Sequence, residues 1–138
     1  MLRDAQHSLE LGKYEISLIT MGIMFELLVT LHLAKFNDNS YFIKIQQDNI
    51  KEIYVNKPSF VPRYFKYVLN LITSKELNMD TLDAVDFIYK VRDKLTHGKN
   101  LYDIELIKES RINEYNIRDI WQSLIYYSNE VCDYFYSL

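Results

Sequence analysis

The 138 residues predict an all-α protein, an antiparallel bundle of four main helices with short additional helices. Three observations carry this. Apolar residues recur at helical spacing through several long stretches. Gly and Pro number only three and two, too few for the many turns of a sandwich or barrel. No stretch alternates convincingly between apolar and polar residues in the manner of a half-buried strand.

The elements follow in order. Residues 2–11, "LRDAQHSLEL", read as a helix, with Gly12 as a cap or kink after it. A long helix is expected from Tyr14 to Phe36. It is apolar on most sides, which suits the centre of a bundle. Asn37–Ser40 end it with turn-forming residues. Residues 41–57 fit a short helix, an irregular loop or a small hairpin. Ser59 and Pro62 mark another helix start, followed by Phe65, Val68, Leu69 and Ile72 at helical spacing. The chain restarts before Thr81, and Leu82, Val85, Ile88, Val91 and Leu95 make a clean stripe. A polar connection runs through Asn100. The last helix is expected to begin near Asn116, whose side chain suits a cap with Asp119 three residues on. Its inward face would be Ile117, Ile120, Trp121, Leu124, Ser128, Val131 and Phe135.

Composition bounds the function. Hydrophobic residues make up 49% and charged residues 25%, a globular balance in a length that suits one domain over 1–138. The net charge of −3 disfavours general nucleic-acid binding, so any such contact must be local. The single Cys132 excludes an internal disulfide and a cysteine-rich metal site, and fits a reducing cytoplasm. Nothing at the N-terminus resembles a signal peptide. Leu18–Leu33 is almost long enough to raise the membrane question, but Glu26 and His32 within it would be costly in lipid. A core helix without membrane contact is the reading taken. Twelve tyrosines fit compositional bias or an aromatic-rich interface.

The stretch "VRDKLTHGK", Val91–Lys99, carries the chemistry. At about 100° per residue, Arg92 falls inside the apolar sector of its helix, so it must snorkel, pair with an acid or point into a cleft. His97 would lie roughly 140° away on an ideal helix. Gly98 allows the helix to end and the imidazole to swing back toward Arg92. A second subunit bringing its own histidine is the other route. The plain alternatives are a histidine that complements a helix end and an arginine that answers a buried glutamate. Glu26 is the leading partner for Arg92, with a tyrosine hydroxyl or His32 as its alternatives. Trp121 reads as core, Cys132 as core or near-core, and His32 as an interior histidine.

"VRDKLTHG" resembles the signature of the HEPN superfamily, small helical domains of toxin–antitoxin, phage-defence and RNA-processing proteins. Arg92, Asp93 and His97 occupy its arginine, polar and histidine places. "MFELLVTL", Met24–Leu31, is similar to the family's early helix with its glutamate. The resemblance implies a homodimer in which two such motifs share a cleft, and a metal-independent endoribonuclease that needs no cofactor. It implies His97 as general acid or base, Arg92 as phosphate stabiliser, Asp93 as an orienting residue and Glu26 in support. These types suit RNA cleavage by the 2′-hydroxyl. Histidine handles protons near neutrality, and arginine offers phosphate a permanently charged fork. Lys90, Lys94 and Lys99 suggest a local positive funnel for RNA, with an ordinary solvated helix face as the bland reading. An antitoxin or sensor protein is a possible partner. Lys99 stands where one toxin branch has a tyrosine two residues after the histidine, the site of its neutralisation by nucleotide attachment, and the nearest tyrosine is Tyr102, so the chain departs from that branch here. A non-catalytic HEPN-like module for dimerisation, or for nucleotide or partner binding, is the competing reading, and an unrelated helical adaptor the third.

Overall fold

A computed structural model describes residues 2–35 and 79–136. The expectations for Asn37–Ser40, for 41–57 and for the helix after Ser59 lie outside the described residues, as does the placement of the His32 side chain. Every regular element among the described residues is helical: α1 (Leu2–Glu10), α2 (Tyr14–Lys35), α3 (Met79–Thr96), a 3₁₀ turn (Leu101–Asp103), α4 (Glu105–Glu109) and α5 (Ile117–Tyr136). No described helix is long and apolar enough to cross a membrane.

Periodicity decides what each helix buries. Ala5 and Leu9, one turn apart, face inward from α1. From α2 come Leu18, Met21, Met24 and Phe25, and from α3 Ala84, Val85, Ile88 and Val91. The inward face of α5 is Ile117, Trp121, Leu124, Ile125, Ser128, Val131 and Phe135. All but one of these residues were expected to face the core; Ile120, also expected there, is only partly buried, and Ile125 takes a place instead. Trp121 sits at the centre, edge-on to Tyr14 and Phe87, with Nε1 donating to the Tyr14 carbonyl at 2.8 Å. Cys132 is half-buried beside the stripe, with Sγ 3.3 Å from Met24 Sδ. Leu101, Ile104, Ile107 and Ile112 close the core from the connection between α3 and α5.

Two features differ from the sequence reading. The expected alternation of helix directions does not hold between α3 and α5. Trp121 meets Tyr14, and Cys132 meets Met24 eleven and ten residues further along, so α5 runs parallel to α2. Phe87 stands on Trp121 at the Tyr14 end while Arg92 reaches Gly22 and Glu26, so α3 shares that direction. α1 opposes them: Gln6 pairs with Gln122 and Glu10 with Arg118. Short loops force antiparallel neighbours, and residues 97–116 are long enough to carry the chain back for a parallel one. The second difference is the cap of α5. Asn113, not Asn116, takes this role: its Oδ1 accepts the N–H groups of Tyr115 and Asn116, the second and third residues of the lead-in turn. Asn116 instead uses Oδ1 to accept the Asn113 N–H.

Candidate functional site

Of the residues singled out in the sequence, Arg92, Asp93 and Lys94 lie on the last turn and a half of α3, and His97 and Lys99 just beyond its end. Arg92 projects across to α2. Its Nη1 donates to Glu26 Oε1 at 2.6 Å, and Nη2 reaches Glu26 Oε2 at 3.4 Å, a two-pronged pair. The arginine side chain is 19% exposed and the glutamate 46%, so the pair opens to solvent on the carboxylate side. The Tyr89 ring lies one turn before Arg92 on α3, its centroid 5.4 Å from Cζ. Its hydroxyl donates to the Gly22 carbonyl at 3.4 Å. Burial, reinforced by the charge of Glu26, pushes the Tyr89 phenol well above the ordinary tyrosine range, although Arg92 works the other way. For Arg92, burial favours the neutral form, but the hydrogen bond and charge of Glu26 outweigh it and hold the guanidinium charged.

The fork has five N–H donors. Two go to Glu26. Nε is buried and has no hydrogen-bond partner. A buried donor left unsatisfied costs about 1–3 kcal/mol, so this arginine is held at some expense. Gly22 explains how it fits. A Cβ there would lie 2.6 Å from Arg92 Cδ, 3.4 Å from Nε and 3.5 Å from Nη1. Glycine in a helix interior costs roughly 1 kcal/mol relative to alanine. Neither Gly22 nor Tyr89 was singled out in the sequence. The available signals were a lone glycine inside a 22-residue apolar helix, one turn before Glu26, and a tyrosine one turn before Arg92.

His97 caps the C-terminus of α3. Gly98, at φ +86°, takes the left-handed conformation. Its N–H bonds the Leu95 carbonyl and that of Lys99 bonds the Lys94 carbonyl, which together close a Schellman motif. The imidazole is 73% exposed. Its Nδ1 lies 2.6 Å from the Asp93 carbonyl oxygen, and 3.5 Å from the Asp93 carboxylate. The swing toward Arg92 therefore does not occur within the chain. His97 turns back along its own helix onto the Asp93 carbonyl, which also accepts the His97 backbone N–H at 3.2 Å and the Thr96 hydroxyl at 2.9 Å. A carbonyl only accepts, so Nδ1 carries the proton and Nε2 of the neutral ring is left to face solvent. Asp93 thus orients His97, mainly through its backbone.

The lysines do not form an unopposed positive patch. Lys90 is paired with Asp86 at 2.7 Å. Lys90 and Lys94 line a shallow groove between α3 and α4 that also holds Asp93, Glu105 and Glu109. Lys99 is exposed just past the helix end. Among the described residues no three His, Cys, Asp or Glu side chains converge in a way that would hold a metal ion. No protein-family model, curated protein or solved structure matches the chain.

Proposed function

We propose that the protein is a metal-independent endoribonuclease of the HEPN type, acting in the cytoplasm as a homodimer within a toxin–antitoxin or phage-defence system and restrained by an antitoxin or sensor protein. The observation that carries this reading is the state of His97. Its Nδ1 is anchored to the Asp93 carbonyl on a side chain that is 73% exposed, five residues from a guanidinium paired with Glu26. That is the form in which an imidazole accepts a proton.

In the reaction, Nε2 takes the proton of an RNA 2′-hydroxyl. The oxygen attacks the adjacent phosphorus, the bond to the 5′-oxygen breaks, and an imidazolium returns a proton to that leaving oxygen. A 2′,3′-cyclic phosphate and a 5′-hydroxyl result. Arg92 steadies the crowded phosphate with the N–H groups that Glu26 leaves unclaimed. Lys90, Lys94 and Lys99 meet the flanking phosphates. Within one chain the imidazole and guanidinium turn to different partners, so the reading requires a second copy to complete the cleft.

A non-catalytic HEPN-like module is the second reading. It is favoured by the carboxylate already seated on Arg92 and by the mixed charge of the groove beside Lys94. Incubation of the purified protein with total RNA in EDTA separates the two. The ribonuclease cuts RNA to 2′,3′-cyclic phosphate ends and loses this activity on His97→Ala. Equal RNA profiles with the two proteins would leave the binding module.

A further inference from the structure

We propose that Gly22 is a positioning residue for Arg92, the floor of a cradle that fixes where the guanidinium meets its ligand. The cradle has three sides. Bare backbone at Gly22 lies beneath the arginine: a Cβ there would stand 2.6 Å from Cδ, closer than side chains approach, and 3.4 Å from Nε, in contact. The Tyr89 ring covers the guanidinium within cation–π range and is itself tied to Gly22 through its hydroxyl. Glu26, one helical turn after Gly22, holds the end of the fork. Gly22 adopts no left-handed conformation that would demand glycine, so the close approach of Arg92 accounts for its presence.

The orphaned Nε sharpens the point. An arginine whose task was only to neutralise Glu26 would do so from the surface, with every N–H hydrated. This one is drawn down until Nε loses water and gains no acceptor. What such an arrangement secures is a single orientation of the outer N–H groups. A Cβ 2.6 Å from Cδ must push the arginine outward by close to an ångström before ordinary contact is restored. Displacements of that size in a reacting geometry cost on the order of 10²-fold in rate. The consequence for rate rests on the ribonuclease reading; the cradle itself does not.

The experiment keeps the two apart. In ¹⁵N–¹H spectra of the wild-type protein, the Arg92 Nε–H signal, assigned by its loss in Arg92→Gln, is expected to be resolved and slow to exchange with solvent. Gly22→Ala is expected to move it toward the exposed arginines and speed its exchange, with the backbone amide spectrum retained. Turnover of RNA should fall about 10²-fold with KM little changed. In an Arg92→Ala background, which removes Cδ and every atom beyond it, Gly22→Ala should have no effect on the fold. Should Gly22→Ala alone fail to fold, recovery by Arg92→Ala supports the cradle, and failure of the double variant overturns it. An Nε–H signal unchanged by Gly22→Ala also overturns the proposal. A wild-type protein that cuts no RNA removes the ribonuclease reading and leaves the spectral test of the cradle standing.

Discussion

The Arg92 guanidinium loses much of its hydration between α2 and α3, and Glu26 makes that tolerable. A surface ion pair contributes little, but removal of one partner from a partly buried pair strands the other. Tyr89 shares this environment and provides a measurable sign of it. Its phenol is nearly enclosed, and burial and then Glu26 raise its pKa above that of an unfolded tyrosine, about 10. Below that pH both states keep the proton, and the contribution of Tyr89 is whole. Above it the unfolded chain ionises while the folded chain resists, so stability falls as pH rises toward the folded value. Tyr89→Phe keeps the ring and removes this term. At pH 7 it should cost less than about 1 kcal/mol, because the hydroxyl bond to Gly22 is long. Urea denaturation between about pH 10 and pH 11 should show the variant losing stability less steeply than wild type, by up to about 1.4 kcal/mol per pH unit. Parallel curves would mean that Tyr89 ionises freely in the folded protein.

Three helices end in the same way, and only two announce it. Gly12 after α1 and Gly98 after α3 both have positive φ, and each closes a Schellman pair of hydrogen bonds. After α4 the same two bonds recur, Arg111 N–H to the Lys108 carbonyl and Ile112 N–H to the Ile107 carbonyl, but the left-handed residue is Arg111 at φ +56°. The buried Ile112 and Ile107 supply the apolar contact that usually accompanies the motif. A residue with a Cβ pays roughly 1–2 kcal/mol for this conformation, part of which glycine returns as unfolded-state entropy. Arg111→Gly should therefore stabilise the protein by about 0.5–1 kcal/mol, read as a raised melting temperature. A fall would mean that the exposed Arg111 side chain makes a contact worth more than the strain. The glycine caps were legible in the sequence because the residue type itself reports the backbone conformation. Arg111 was not, because nothing in an arginine advertises positive φ. Helix faces were legible, since period and burial are one signal. Helix direction was not, since an apolar stripe reads the same from either end. A glutamate in a greasy helix and an arginine in another were enough to suggest Glu26 as the partner of Arg92. The cradle around them escaped notice because Gly22 acts through an atom it lacks.

At the scale of the whole molecule the issue is where Arg92 finds an imidazole. In one chain Arg92 crosses to α2 and His97 folds back on Asp93 from the exposed end of α3. The proposed homodimer makes a definite statement: the working pair takes its arginine from one copy and its histidine from the other. Two inactive variants, Arg92→Gln and His97→Ala, each keep one member. If the pair works in trans, a mixed dimer regains one complete pair, with Arg92 from the His97→Ala chain and His97 from the Arg92→Gln chain. If it works in cis, the mixed dimer regains none. Random exchange makes half of the dimers mixed, each with one of two pairs intact, so an equimolar mixture should recover about a quarter of wild-type cleavage. Size-exclusion chromatography with light scattering would establish that the variants remain dimeric, and exchange of differently tagged chains would establish that they mix. A mixture that forms hybrid dimers and stays as inactive as its components would show that the histidine and arginine do not meet across the interface. A monomeric wild-type protein that still cuts RNA would show that the chemistry is completed within one chain, with His97 released from Asp93.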